Sequence, residues 1–219
     1  MQDYADFTRT FAGIGKASAT KLSDGAHEVV YVTIAGANDI PIDKNSDLYR
    51  NLTQALHSLG DPHLPIAVEL REMLSLVISA KVRVLPDYAW EFVEPKVRAA
   101  LLDVFSFARR ALAQDVTRSE VISVIQRVRG VAYVDLDLLV AISESEVEAE
   151  ITRTTLNAGK GDDSKSFYEK LGAGVEHRIT VRSATSDPKA EFSKRLSPSQ
   201  IAVLSPVLPE TLVLTEVPG

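Results

Sequence analysis

The chain alternates between two hydrophobic periods, and each change of period marks an element. From Glu28 to Ala35, Val30, Val32 and Ile34 alternate with Val29, Tyr31 and Thr33. This β-branched run is apolar on both sides and predicts a central strand. Leu48, Leu52, Ala55, Leu56 and Leu59 then recur at helical spacing behind Ser46, a favourable N-cap, and Gly60-Asp61-Pro62 stops the helix. Ile66, Val68 and Leu70 return to period two. The alternation is clearest from Leu76: Leu76, Ile78, Ala80, Val82 and Val84 share one face, and Val77, Ser79, Lys81 and Arg83 the other. That pattern predicts a strand with one wet side.

The stretch from Phe92 to Leu139 carries its own punctuation. Val93, Val97, Leu101, Val104 and Ala108 make one helical face, widened by Ala100 and Phe105. Thr117 stands three residues before Glu120, the pattern of a capping box. It opens a second helix with Val121, Ile122, Ile125 and Val128 on its apolar side. Gly130 closes that helix, and Val131 starts a strand with Val134, Leu136 and Leu138 inward and Asp135 and Asp137 outward.

Strand, helix, strand, strand, two helices, strand is the order of an α+β ferredoxin-like plait, a split β-α-β arrangement with one extra helix. It occupies residues 26–142, behind a lead-in of residues 1–25 that holds Tyr4, Phe7, Phe11 and the turn Gly13-Ile14-Gly15. Residues 143–187 predict a projecting β-hairpin: Val147, Ala149 and Ile151 alternate before a polar loop, and Val175, His177, Ile179 and Val181 after it. Residues 188–219 form an apolar C-terminal tail that Pro198, Pro206 and Pro209 hold extended. Aliphatic residues that cannot fold into a regular element of their own must be covered, by a neighbouring protein or by the chain's own sheet. The candidate interface residues are Ile201, Val203, Leu204, Leu212 and Leu214 in the tail, with Ile151, Ile179 and Val181 in the hairpin.

Composition narrows the function. With 219 residues, 45% hydrophobic and 25% charged, the chain has the make-up of a globular protein. Its net charge of -6 lacks the surplus of Lys and Arg that a general nucleic-acid binder needs. There is no cysteine, which excludes disulfides, thiolate catalysis and cysteine-ligated zinc. The acidic start, MQDYADFTRTF, is not a signal peptide, and no apolar run is long enough to span a bilayer, so synthesis in the cytoplasm without membrane insertion is expected.

Candidate chemistry is sparse. His57, Asp61 and His63 cluster around the Gly60 turn, but spacing does not aim them at one point, and a solvated helix end is the plainer reading. Asp135 and Asp137 are explained by strand alternation. Gly13-Ile14-Gly15-Lys16 and Gly159-Lys160-Gly161 do not complete a phosphate loop, and Ser18 to Lys21 lacks the partners of a serine nucleophile. No catalytic, cofactor-binding or metal-ligating residue is assigned. A small-molecule-binding regulatory module remains an alternative, because plaits can hold ligands between helices and sheet.

The segments YADFTRTFAGI from Tyr4, VVYVTIAG from Val29, the long block from Ala80 to Leu139 and LSPSQIAVLSP from Leu196 resemble the C-terminal part of Baseplate J-like, baseplate assembly proteins. The resemblance implies a non-enzymatic wedge subunit of a contractile phage tail or contractile injection system. Such a subunit packs with copies or paralogues of itself and contacts hub and sheath-initiating proteins. It also implies that the chain ends up within the assembled particle. Relatives are longer than this chain, and residues 143–187 exceed what the resemblance leads one to expect there.

Overall fold

The computed structural model describes residues 1–23, 27–146, 174–187, 189–190, 196–206 and 211–218. In chain order the elements are α1 (Gln2–Arg9), β1 (Ile14–Ser23), β2 (Glu28–Gly36), α2 (Asp47–Leu59), β3 (Ile66–Leu70), β4 (Glu72–Val84), α3 (Trp90–Val104) and β5 (Val116–Thr117). They continue with α4 (Arg118–Gln126), β6 (Val131–Ser143), β7 (Arg178–Ile179), β8 (Thr185–Ser186), β9 (Leu196–Ser197), β10 (Gln200–Val203) and β11 (Leu212–Glu216). A 3-10 turn over Ala37–Asp39 follows β2. The protein is mixed α+β and divides into two compact units.

The first unit comprises Met1–Glu72, Ala111–Gln114 and Val181–Ile201. Its sheet has the order β1-β2-β3, with β1 antiparallel and β3 parallel to β2. Two parallel neighbours need a crossover, and α2 supplies it. Ser46 caps α2 by accepting from Tyr49 N–H at 3.3 Å, and the helix ends at Leu59 as the pattern predicts. Leu52 and Leu56 of α2 are buried with Val30, Val32, Ile34, Ile66, Val68, Ile14 and Ala17, and Tyr4, Phe7 and Phe11 pack against this core. Burying each of the two leucines contributes about 2 kcal/mol. Phe7 and Phe11 meet edge to face with centroids 5.4 Å apart. Gly36 ends β2 where the chain doubles back: a Cβ there would lie 2.0 Å from the Ile40 carbonyl oxygen.

The second unit comprises Met73–Arg110, Asp115–Thr180 and Ala202–Gly219. Its sheet is organised on β4. Antiparallel β6 pairs β4 from Leu74↔Ser143 to Val84↔Val131, with a bulge between Ser79 and Ala80. β11 runs parallel to β4, from Leu212↔Ile78 to Glu216↔Val82, and β10 is also hydrogen-bonded to β4. Leu76, Val77 and Ile78 are all fully buried, so β4 is covered on both faces. Val77 belongs with Leu138, Val140 and Ile142 to a separate apolar cluster. α3 buries Val93, Val97 and Leu101, and α4 buries Val121, Val124 and Ile125. Thr117 accepts from Glu120 N–H at 3.2 Å and so caps α4. Gly130, at φ +103, ends the turn before β6 in a conformation that favours glycine, with the Tyr88 ring against it.

Several expectations are corrected. The strand order is not that of a ferredoxin-like plait: β2 and β3 lie side by side and parallel in one sheet, whereas β4 and β6 lie in another. Period two predicted the strands, but β2 and β4 bury both faces, and a plait covers only one. Residues 1–25, expected as a lead-in, supply α1 and the strand β1. The expected 26–142 core is divided between the two units. α3 stops at Val104, leaving Ala108 exposed, and Ile122 is only half-buried while Val124 takes its place. In the expected hairpin, residues 147–173 lie outside the described residues. The described arm pairs elsewhere: Val175 bridges Leu139, and β7 pairs β5.

Candidate functional site

The candidate interface residues can be placed one by one. Ile179 and Val181 are 3% exposed, Ile201 0%, Val203 5%, Leu204 2% and Leu212 3%. Leu214 is half-buried, and Ile151 lies outside the described residues. Ile179, Val181, Ile201, Val203, Leu204 and Leu212 are thus covered within the chain itself. Ile179 belongs to β7, which pairs β5, and Leu212 and Leu214 belong to β11 on β4. Leu204 N–H donates to Phe105 O at 2.9 Å, and Phe105 is fully buried.

The first unit holds a buried hydroxyl network that the sequence did not reveal. Ser199, 1% exposed, donates its N–H to Thr33 Oγ1 at 3.0 Å and shares a hydrogen bond with Ser18 Oγ at 3.0 Å. Its own Oγ accepts from Ala184 N–H at 2.9 Å. Beside it, Gln200 exchanges bonds with Arg182: Arg182 N–H donates to Gln200 Oε1 at 3.0 Å, and Gln200 N–H donates to Arg182 O at 2.8 Å. The partners of Ser199 are hydroxyls and backbone N–H groups, with no imidazole or carboxylate to activate it as a nucleophile. The network ties Ser199, and through it Ala184, to β1 and β2.

The second unit buries a charge. Arg110 is 2% exposed; its Nη1 donates to Glu120 Oε1 at 2.9 Å, its Nη2 donates to Asp115 O at 2.5 Å, and its Cζ lies 5.5 Å from the Phe105 ring centroid. The Glu120 carboxylate, placed by the capping pattern of α4, is thereby turned to Arg110. A buried guanidinium is tolerated when it is ion-paired and hydrogen-bonded, as here.

The other sequence candidates do not converge. His57, Asp61 and His63 are all exposed; Asp61 Oδ1 accepts from His63 N–H at 2.9 Å, a turn-capping bond. Asp137 is ion-paired to Lys81 at 2.8 Å, which raises the lysine's pKa. Lys16 has its pKa lowered by burial, in a strand and not in a phosphate loop. Among the described residues no group of three His, Asp or Glu is placed to hold a metal ion, and no helix is long and apolar enough to cross a membrane.

What remains on the described surface is a set of large exposed apolar side chains: Ile40 at 64%, Leu59 at 71% and Phe92 at 73%, with Met1, Leu85 and Tyr133 less so. The sequence pattern marks none of them as an interface: Leu59, expected on the apolar stripe of α2, is exposed at the end of that helix, and Tyr133 lies in β6. The decisive comparison concerns the first unit. Residues 1–69 match the Baseplate J-like central domain. The match supports the resemblance to baseplate J-like proteins and coincides with the long N-terminal segment of the first unit, Met1–Glu72. The matched stretch holds α1, β1, β2, α2 and all of β3 but its last residue, Leu70. The block from Ala80 to Leu139 lies outside it. No curated protein matches the chain.

Proposed function

We propose that the chain is a structural wedge subunit in the baseplate of a contractile phage tail or contractile injection system, bound there to other baseplate components. The coarser statement stands on the match itself: a Baseplate J-like domain points to a structural role in a phage baseplate, and the family is not enzymatic. The observation that carries the proposal is that the match spans nearly all of Met1–Glu72, the segment that gives the first compact unit its sheet and core. The buried hydroxyls and the buried arginine are consistent with this reading, since each is engaged in holding segments of the chain together.

The wedge assignment adds copies or paralogues of the subunit, the hub and the sheath-initiating proteins as partners. To test it, particles are purified from cells producing the chain with an epitope tag, and their composition is read by mass spectrometry and cross-linking. Recovery in the baseplate fraction, cross-linked to hub or sheath-proximal proteins, is expected. A tag found only in free protein, with intact particles lacking it, would sink the reading.

A further inference from the structure

The first unit's sheet has two margins, β1 and β3, and the register shows which backbone groups point out from each. Val30 N–H donates to Pro65 O at 2.9 Å and Arg71 N–H donates to Ile34 O at 2.8 Å, with Val30↔Ile66 and Ile34↔Leu70 as partners. In a parallel ladder this turns the backbone groups of Pro65, Ala67, Glu69 and Arg71 toward β2. Those of Ile66, Val68 and Leu70 therefore point away from the sheet. Because Ile34 gives its backbone groups to β3, its antiparallel partner Ala17 on β1 must point its own outward. By the same alternation so must Ala19, Lys21 and Ser23.

Side chains occupy four of these outward groups, two on each margin. On β3, Tyr49 Oη donates to Val68 O at 2.6 Å, and Leu70 N–H donates to Glu69 Oε1 at 2.9 Å. Lys44 Nζ lies 2.5 Å from the same Glu69 oxygen, which sets an ammonium group beside the margin. On β1, Arg9 Nη2 donates to Ala17 O at 3.2 Å while its Nη1 is held by Asp6 at 2.6 Å, and Ser186 Oγ donates to Ser23 O.

An open strand margin is a template for another strand, and natural sheets block it with charges and covering groups. We propose that Tyr49, Glu69 with Lys44, and Arg9 are margin closures that keep two copies of this chain from joining sheet to sheet. An incoming strand must take Val68 O and Leu70 N–H to continue the ladder, and it finds both engaged. Copies of the chain therefore meet through side-chain surfaces and not through a continuous sheet. The inference does not rest on the baseplate reading, since it concerns the free protein.

Sedimentation velocity over a concentration series tests it, using the full chain with Tyr49→Phe and Glu69→Ala combined. The core variant Leu52→Ala serves as a control for destabilisation alone. The double variant is expected to self-associate at least tenfold more tightly than wild type with its circular dichroism unchanged, and the control is not. Identical sedimentation of double variant and wild type overturns the proposal, as does equal association of the control. If the double variant does not fold, Arg9→Ala on the β1 margin decides the question by the same comparison.

Discussion

Replacing Leu204 with alanine distinguishes a tail that belongs to the chain's own core from one kept for a neighbour. Leu204 is 2% exposed, and its backbone is tied to Phe105. Truncation removes three buried carbons at about 0.8 kcal/mol each and leaves a cavity beside a fully buried ring. The expected loss is about 3 kcal/mol, inside the usual range for buried leucines. For a chain of this size that is about 6–12 °C in the melting temperature. Thermal and urea unfolding of the isolated protein measure it directly, with no partner present. Leu214→Ala, at a half-buried position, provides a matched change expected to cost about 1 kcal/mol. If Leu204→Ala melts within about 2 °C of wild type while association with baseplate components is lost, the burial argument fails. The tail would then be a docking element after all.

Other perturbations reach other parts of the structure. Glu120→Ala leaves the buried Arg110 guanidinium without its carboxylate and is expected to cost about 2 kcal/mol, read from the urea midpoint; no change would mean the pair is solvent-screened. Gly36→Ala forces a methyl group against the Ile40 carbonyl and should destabilise by more than about 1 kcal/mol in the same assay, whereas Gly174→Ala, with open space around it, should not. Burial, with Glu69 and Tyr49 adding to it, raises the Tyr31 phenol well above its ordinary value. The folded state then keeps the phenol neutral where the unfolded state ionises. The associated stability is present below about pH 10 and falls by about 1.4 kcal/mol per pH unit above it. Urea midpoints measured from about pH 9 to about pH 11 should show this slope, and Tyr31→Phe should flatten it.

The local signals proved informative wherever a few neighbouring residues decide the outcome. Ser46 and Thr117 cap their helices as the pattern predicts, Gly60 caps the end of α2, and the runs around Val32, Val68 and Ile78 are strands. α4, by contrast, ends at Gln126, before the Gly130 that the pattern predicts to close it. Partner choice was not legible, because it is non-local. Nothing near Val68 announces that β3 lies parallel beside β2, or that β4, separated from β3 by Arg71 alone, joins a different sheet. The Ser199 network joins positions far apart in sequence, so no motif could contain it. Arg110 reads as a surface charge because arginine seldom lies buried. Its one sequence clue is an acid ten residues later, at the first turn of a helix. That the aliphatic tail needs cover is plain from its composition, but periodicity cannot say whose surface supplies it.

The pairing of β4 with β11 has a consequence for how the protein comes into being. β4 is synthesised well before Leu212–Glu216, which lines up against Ile78 to Val82. While the residues between them are being made, one flank of that strand lacks this neighbour, and loop closure over so long a separation is slow. The nascent chain is thus most open to capture by holding chaperones, or to mispairing on a polysome, in that interval.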